Sequence, residues 1–315
     1  MKVVYMGTPE YATYPLEKLL LEGHDVVGVY TQPDRQSGRG KQMNQPPVKV
    51  LAESKGLDVF QPKSLRERDS ATILEKLKPD IIVVAAYGII LPSSVLMIPA
   101  VGTINIHPSL LPLYRGPTPV ASAILKGDSV TGVTIMQVDE GTDTGPVIVQ
   151  QEERIKDEDT TIELTYRLFK KGANLLTQQL TNYYEGKIKL SKQEEWKATY
   201  TKKLNKDSGE VNWRQPAVDI WRQIKAYTPW PGSYTMWNNK RIKLLDVWPD
   251  SLNIKPITEI GTVFMDQTKR PHVCSVQTGY GLLTLKTIQM EGKKATGIED
   301  FVNGRPDFAK ANLGR

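Results

Sequence analysis

Short runs of apolar and β-branched residues alternate with helical stretches through the first half of the chain. The strand-like runs are Lys2 to Met6, Val26 to Thr31, Ile81 to Ala85, Thr103 to Ile106 and Thr134 to Val138. Between them, residues 14–21, 48–55 and 70–77 repeat their apolar side chains with the period of an amphipathic helix. Apolar strands alternating with helices predict an α/β fold, with a mostly parallel sheet and crossover helices.

The pattern changes after Gly186. The stretch that follows is rich in lysine and poor in large aliphatic residues, which is typical of a connecting segment. Beyond it, Pro216 opens a predicted helix, and five short strands joined by turns predict a small β-barrel. Those strands are Ser233 to Trp237, Lys240 to Val247, Gly261 to Phe264, Val273 to Gln277 and Leu282 to Ile288. We expect a first domain over residues 1–188, a linker over 189–207 and a barrel domain over 208–315.

Composition agrees with two folded domains. The chain has 315 residues, 39% of them hydrophobic, which is enough to bury a sizeable core. Its one cysteine, Cys274, excludes an intramolecular disulfide, and its three histidines lack metal-site spacing. We therefore expect no metal and a reducing, cytoplasmic compartment. The sequence has no apolar run long enough to span a membrane and no secretory signal, so we also expect no membrane association. We further expect a monomer.

Positive charge is concentrated in the last third of the chain. Lys and Arg number 18 against 11 Asp and Glu in residues 201–315, whereas residues 1–200 hold 23 against 24. A cationic module beside a neutral one is suited to holding a polyanion while the other part does chemistry, and nucleic acid is the expected polyanion. The alternative is a domain that is mildly basic only for solubility.

Two nucleotide-binding motifs are missing from the sequence. The turn after the first strand, Gly7 to Ala12, lacks the G-x-G-x-x-G spacing, which argues against NAD. The segment 38–41 has neither the spacing nor the hydroxyl of an ATP phosphate loop. With Arg35, Arg39 and Lys41 it is a glycine-rich cationic loop. It is either a solvated surface loop or a contact to a phosphodiester backbone.

The densest candidate chemistry follows the fourth predicted strand. With the period of two along a strand, Asn105 and His107 share one side while Ile104 and Ile106 face the other. This presents an amide and an imidazole together near the carboxyl end of a strand, where open α/β sheets bind ligands. A hydrogen-bonded structural histidine is the alternative interpretation. His24 and His272 have no comparable polar neighbour before a rigid loop, and we interpret them as structural.

A second polar cluster surrounds Asp143, between Gly141 and Gly145 in a turning loop after an apolar strand. An acidic turn with no other role is the alternative. Beside His107, however, a carboxylate would orient the imidazole and stabilise the imidazolium. The sequence has no nucleophile elbow and no reactive cysteine to accompany this pair. The attacking group then belongs to the substrate, and we expect direct transfer of an acyl group to an amine, with Asn105 donating to the oxyanion.

Several of these residues resemble a known family. The run from Asn105 through His107-Pro108-Ser109-Leu110-Leu111-Pro112, with Gly116 and Asp143, is similar to the active-site signature of the 10-formyltetrahydrofolate-dependent formyltransferases. The resemblance extends over the chain through MGTPEYA, TQPDRQSGRGK, PVKVLAESKGL, VVAAYGIILP, GVTIMQVDEGTDTGPV and Tyr227-Thr228-Pro229-Trp230-Pro231. Pro108 is a departure, because relatives carry glycine there. The resemblance is to the branch of the family that formylates methionyl initiator tRNA.

The resemblance implies a Rossmann-like catalytic domain followed by an oligonucleotide-binding (OB-type) barrel that helps to hold tRNA. It implies 10-formyltetrahydrofolate as co-substrate and formyl donor, the trio of Asn105, His107 and Asp143 as catalytic residues, and contact of the Arg39 and Lys41 loop with the acceptor arm. The implied folate-binding residues are Ser109, Leu110, Leu111, Pro112, Tyr87, Ile89 and Asp139. From the residues alone, Leu110 and Leu111 are equally well explained as core residues.

In the second domain, lysines and arginines interleaved with Trp237 and Trp248 are the candidate phosphate contacts. They are Lys240, Arg241, Lys243, Lys293, Lys294 and Arg305. Two other functions remain open. A related formyltransferase acting on a small amine, such as glycinamide ribonucleotide or an amino sugar nucleotide, would share the trio but would not need a basic second domain. A non-enzymatic nucleic-acid-binding protein would leave the trio unexplained.

Overall fold

The computed structural model describes residues 1–37, 42–66, 68–250, 255–266 and 273–314. The chain divides into two compact units. The first comprises Met1–Pro119, Ser129–Ile155 and Leu164–Lys202, and the second comprises Val120–Asp128, Lys156–Glu163 and Lys203–Arg315.

The strands are β1 Lys2–Gly7, β2 Asp25–Tyr30, β3 Arg35–Ser37, β4 Gln42–Asn44, β5 Val59–Phe60, β6 Ile81–Ala85, β7 Gly102–His107, β8 Val130–Gln137, β9 Val147–Arg154, β10 Ser233–Trp237, β11 Lys240–Asp250, β12 Val263–Asp266, β13 Val273–Gln277, β14 Leu282–Met290 and β15 Thr296–Gly297. The helices are α1 Thr13–Leu21, α2 Pro47–Ser54, α3 Arg68–Leu77, α4 Ser93–Leu96, α5 Pro119–Lys126, α6 Thr161–Tyr184, α7 Ala217–Ala226 and α8 Ile298–Gly304.

The first unit contains a seven-stranded sheet in the order β5-β2-β1-β6-β7-β8-β9. Strands β5, β2, β1, β6 and β7 are parallel. Their apolar runs are buried on both faces, since Val3 to Met6 in β1 and Ile81 to Val83 in β6 are 0% exposed. The chain leaves β1 toward β2 on one side and later returns to β6 on the other, which opens a crevice beyond the carboxyl ends of these strands. The predicted Rossmann-like, mostly parallel architecture is confirmed.

The last two strands of this sheet depart from the expected parallel arrangement. Strand β8 pairs antiparallel with β7, placing Thr134 opposite His107, and β9 pairs antiparallel with β8. Only nine residues, 138–146, connect β8 to β9. Such a short connection between neighbouring strands favours an antiparallel pair over a helical crossover. The β7–β8 pairing therefore lies beside the residues of the candidate site.

Helix α6 packs closely against the face of the sheet that carries Ile106. A Cβ atom built at Gly172 would lie 2.7 Å from Ile106 Cγ2 and 2.9 Å from Val133 Cγ2. Both distances are shorter than van der Waals contact, so glycine at this position lets the helix backbone approach β7 and β8. Burial of Ile104 and Ile106 on this face contributes about 1.5–3 kcal/mol each and leaves the other face of β7 to its polar residues.

The second unit is built on an antiparallel sheet in the order β10-β11-β14-β13-β12, with β15 paired to β14. Alternate residues of β11, Ile242 and Leu244, point into a core that also includes Ile220 and Ile224 of α7. The predicted barrel is not confirmed: within the described part of the chain no pairing joins β10 to β12, so the sheet is not closed.

Candidate active site

The candidate site is centred on the carboxyl-terminal end of β7. Asn105 and His107 are two residues apart in the strand and share the face opposite Ile104 and Ile106. His107 is 4% exposed and is the last residue of the strand, whereas Asn105 is half-buried. The structure thus places the amide and the imidazole on one face, as the sequence predicts.

The imidazole of His107 is held from one side by the loop that follows β7. Its Nε2 lies 3.1 Å from the carbonyl oxygen of Tyr114, which can only accept a hydrogen bond, so Nε2 is the donor. In the neutral ring, Nδ1 is then the atom free to take up a proton. Tyr114 has φ of 61°, a left-handed conformation that aims its carbonyl at the ring.

Asp143 approaches the imidazole from the other side. Its Oδ2 lies 3.6 Å from His107 Nδ1 and accepts a hydrogen bond of 2.8 Å from the backbone N–H of Gly116. The 3.6 Å separation is an ion-pair distance rather than a hydrogen bond, and such contacts commonly tighten in the substrate complex. Strand β8 ends at Gln137 opposite Ile104, so the loop must extend back along β7 to reach His107. The structure therefore places His107 and Asp143 next to each other, as the sequence predicts.

Burial lowers the pKa of His107 below its ordinary value near 6.5, because the charged imidazolium loses its water. The carboxylate of Asp143 and the carbonyl of Tyr114 oppose that shift by favouring the imidazolium. The ring is consequently neutral at pH 7 and able to accept a proton. A proton taken up at Nδ1 would face the Asp143 carboxylate.

Asn105 differs from His107 and Asp143 in the hydrogen bonding of its side chain. Within the part of the chain that the structure describes, its carboxamide makes no hydrogen bond. Its backbone is paired with Val84 of β6 and Met136 of β8. The sheet therefore fixes the position of the residue and leaves its side-chain carboxamide to other partners. Such a donor is available to a developing oxyanion.

The loop residues expected to bind folate are firmly anchored. Ser109 is fully buried and its Oγ donates to Leu113 O at 2.6 Å, while Thr134 Oγ1 donates to Ser109 O at 2.6 Å. Leu111 is also buried, whereas Leu110 and Pro112 are half-buried. These bonds shape the loop, in which Leu110 and Pro112 keep part of their surface accessible.

The remaining expected folate residues lie in two other loops. The carbonyl of Tyr87 accepts hydrogen bonds of 2.9 Å from Thr8 Oγ1 and Gln32 Nε2, which ties the loop after β6 to the ends of β1 and β2. Ile89 is half-buried beside it. Asp139 is exposed and accepts from Thr144 Oγ1 at 2.7 Å and Gly141 N at 3.1 Å, so it stabilises the turn that carries Asp143.

The sequence interpretation missed a buried polar network behind this site. Arg115 is 0% exposed, and its guanidinium donates to Gln193 and Glu195. Gln193 in turn donates to the backbone carbonyls of Asp143 and Gly145. The one available signal was the presence of Arg115 in a loop of otherwise apolar and small residues, and no local pattern pointed to its partners.

The cationic residues of the second unit gather at one end of its sheet. Lys240, Arg241 and Lys243 are exposed on β11, and the pairing of Ile242 with Met290 places them near the turn that carries exposed Lys293 and Lys294. Arg305 is half-buried, 5.1 Å over the ring of Phe301. The two tryptophans differ. Trp248 is 48% exposed, whereas Trp237 is 7% exposed and packs edge-on against Phe308, so it belongs to the core. Arg39 and Lys41 lie outside the described residues.

The described residues contain no group of three or more His, Cys, Asp or Glu side chains that could hold a metal ion. Among the same residues, no helix combines the length and the apolar character needed to cross a bilayer.

Comparison with known proteins gives two matches to family models. Residues 1–180 match the formyl transferase family, and residues 203–306 match the C-terminal domain of formyl transferases. The chain is 44% identical to the methionyl-tRNA formyltransferase of Dehalococcoides mccartyi strain 195, over 100% of this chain and 99% of that protein. It is 44% identical to the methionyl-tRNA formyltransferase of Chloroflexus aggregans, over 93% of this chain and 94% of that protein.

Among solved structures, the chain is similar to an N-formyltransferase from Helicobacter canadensis in complex with folinic acid and dTDP-3-aminofucose. The TM-score is 0.66 at 19% sequence identity, covering 90% of this chain and 99% of that one. At this identity the likeness shows a shared fold.

Proposed function

We infer the function of this chain from its family: it belongs to the formyl transferases. It is a formyl-transferring enzyme, and we propose that it moves the formyl group of 10-formyltetrahydrofolate to the free amino group of methionyl initiator tRNA. The product is N-formylmethionyl-tRNA for translation initiation. The observation that carries the proposal is the 3.6 Å approach of the partly exposed Asp143 carboxylate to buried His107. It lies beside Asn105, whose carboxamide makes no hydrogen bond within the described part of the chain.

In the proposed reaction the amine of the methionyl group attacks the formyl carbon directly. Asn105 donates a hydrogen bond to the oxygen that becomes negatively charged. His107 accepts a proton from the amine, and Asp143 stabilises the resulting imidazolium across 3.6 Å. The tetrahydrofolate nitrogen leaves and recovers a proton, so no group of the enzyme is covalently modified.

The folate-type donor is supported by the family and by the walls beside the trio. Half-buried Leu110, Pro112 and Ile89 offer apolar surface to a flat ring, as ligand pockets commonly do. We propose that they contact the pterin, that Ser109, Leu111 and Tyr87 hold their loops in place, and that Asp139 lies at the rim. The 10-formyl form of the donor is part of this proposal.

The second unit is proposed to hold the tRNA. Its exposed cations, Lys240, Arg241, Lys243, Lys293 and Lys294, cluster on one sheet end, with Arg305 and the loop of Arg39 and Lys41 as further candidate contacts. We propose that this antiparallel domain is related to OB-type folds, supported by its five main strands. Residues 1–188 then form the catalytic domain and 189–207 the connection to residues 208–315. A monomer acting in the cytoplasm, where initiator tRNA is used, completes the proposal.

The alternative of a small amine acceptor rests on a likeness of fold alone. The aminofucose nucleotide belongs to a structure only 19% identical, whereas 44% identity over the full length links this chain to proteins named for methionyl-tRNA. The full-length relatives also account for the cationic second unit, which a small acceptor does not require.

The proposal is tested with a radiolabelled formyl donor offered together with methionyl initiator tRNA, glycinamide ribonucleotide or an amino sugar nucleotide. We expect label on the tRNA only. His107→Ala should lose about 10²–10⁴-fold in turnover, and Asn105→Ala about 10²–10³-fold, with folding checked by circular dichroism. Label on a small amine instead, or wild-type turnover in both variants, would contradict the proposal.

A further inference from the structure

A segment of the first unit, residues 191–202, lies along the loop that follows β7. Thr199 N donates to Pro112 O at 3.2 Å, and Arg115 N donates to Thr199 O at 2.9 Å. Thr201 N then donates to Arg115 O at 2.8 Å. We call residues 191–202 the strap. Because its backbone pairs with the loop that presents a carbonyl to the imidazole, the strap is part of the structure that shapes the site.

The side chain of Arg115 is enclosed between this loop and the strap. Its Nε and Nη2 donate to Gln193 Oε1 at 3.0 and 2.9 Å. Its Nη1 and Nη2 donate to the carboxylate of Glu195 at 2.9 and 2.7 Å, and Nη1 also donates to Tyr200 OH at 2.8 Å. A fully buried guanidinium needs acceptors for its donors, and these partners supply them. The position of the Gln193 oxygen is thereby fixed.

The amide nitrogen of Gln193 is directed at the loop that carries Asp143. Its Nε2 donates to Asp143 O at 2.8 Å and to Gly145 O at 2.7 Å. The side chain is 7% exposed and uses both of its donors and its oxygen in these contacts. Asp143 has φ of 55°, a conformation that a non-glycine residue keeps only when its surroundings hold it.

We propose that Gln193 is a positioning residue for formyl transfer, which holds the Asp143 carboxylate at its distance from His107. The proposal rests on the proposed function, since it assigns a role at the same site. Gln193 does not reach the reacting atoms and acts through the backbone of Asp143. The charged groups around this arrangement are Asp143 beside the imidazole, and Arg115 and Glu195 on the far side of Gln193.

Two substitutions separate the contacts of Gln193. Gln193→Glu keeps oxygen acceptors for Arg115 but replaces the donors to the Asp143 loop with an oxygen that repels its carbonyls. Gln193→Met keeps the approximate volume and removes both sets of hydrogen bonds. Glu195→Gln is the matched control, because it weakens another partner of Arg115 without touching the Asp143 loop.

We expect both Gln193 variants to lose about 10–100-fold in kcat, since a misplacement of about 1 Å can cost a hundredfold. KM for methionyl-tRNA and for the folate donor should change little. In Gln193→Met, which adds no charge, the acid limb of the kcat–pH profile should move to lower pH, as we also expect when the carboxylate itself is removed. Combined with Asp143→Asn, Gln193→Glu should cause no further loss, because the two act through one interaction. The control should keep the wild-type profile.

Thermal unfolding shows which variants are folded. If Gln193→Met does not fold, the test of the role of Gln193 uses Gln193→Glu alone. Wild-type kcat in folded Gln193→Glu overturns the inference. So does a loss that adds to that of Asp143→Asn, or the same shifted profile in Glu195→Gln. If Asp143→Asn itself turns over at the wild-type rate, the proposed function fails. If Asp143→Asn is slow while Gln193→Glu is not, only the role of Gln193 fails.

Discussion

Replacing Asp143 with asparagine removes one charge from the candidate site while preserving its shape. Asparagine tolerates the left-handed φ of 55° seen at this position. Its side-chain oxygen can still accept the 2.8 Å hydrogen bond from Gly116 N. The variant should therefore fold normally, and a change in turnover reports on the lost carboxylate.

The size of the effect follows from the distance between the two groups. Asp143 Oδ2 lies 3.6 Å from His107 Nδ1. Two unit charges about 4 Å apart interact by roughly 4 kcal/mol at an effective dielectric of 20. That figure is an upper limit, because the Asp143 side chain is 20% exposed and water screens it. At about 1.4 kcal/mol per tenfold, we expect turnover to fall by about 10²–10³-fold.

The pH profile gives the sign of the same effect. The carboxylate raises the pKa of His107, so its removal lets burial lower that pKa further. The acid limb of turnover should move to lower pH, although the maximum rate falls because the imidazolium is no longer stabilised. The rate of formyl transfer to methionyl-tRNA, measured between pH 5 and 9, gives both the position of the acid limb and the maximum rate.

The matched control for this variant is Glu140→Gln. Glu140 is exposed in the same loop and accepts a hydrogen bond from Ser93 Oγ, so the substitution removes a charge that does not face the imidazole. We expect this control to retain wild-type turnover. An Asp143→Asn enzyme with wild-type turnover and an unmoved acid limb would refute the electrostatic argument.

Three further predictions concern other parts of the molecule. Gly172→Ala should lower the thermal midpoint, because overpacking against Ile106 costs about 1–3 kcal/mol and exceeds the helix gain of about 0.5–1 kcal/mol; the control Gly304→Ala meets open space and should not lower it. Burial raises the pKa of Cys274 to about 12, so an alkylating reagent at pH 8 should label it only after unfolding, and labelling of the folded protein would contradict its burial. Affinity for tRNA should fall steeply with salt, and Lys240→Ala should flatten the logarithmic slope by about one unit; a salt-independent affinity would contradict the proposed phosphate contacts.

The parallel strands were the most predictable part of the fold. Strands such as β1 and β6 are buried on both faces, so their apolar runs stand out in the sequence. Strand β9 was not predicted. It lies at the edge of the sheet, and its exposed Gln150, Gln151 and Glu152 lack the apolar character of a central strand.

The sequence predicts the part of the candidate site whose residues lie close together in the chain or follow a recognisable strand. Asn105 and His107 are two residues apart, and the loop of Asp143 follows a recognisable strand, so the sequence supports their association. The contact between Arg115 and Gln193 spans 78 positions and consists of polar hydrogen bonds. Such contacts leave no hydrophobic period, and a lysine-rich stretch that contains them resembles a linker. In the described structure, residues of the 191–202 segment are hydrogen bonded to the loops of the site.

The two residues that face the nitrogens of His107 share an unfavourable backbone conformation. Tyr114, opposite Nε2, has φ of 61°, and Asp143, opposite Nδ1, has φ of 55°. Each such residue costs on the order of 1–3 kcal/mol, whereas one hydrogen bond contributes only about 0.5–1.5 kcal/mol. Several bonds must act on each loop, and the strap contributes to both. The backbone N–H of Tyr114 donates to Thr199 Oγ1, and Gln193 Nε2 donates to Asp143 O. The geometry of the imidazole therefore depends on a segment that touches neither the imidazole nor the reacting atoms.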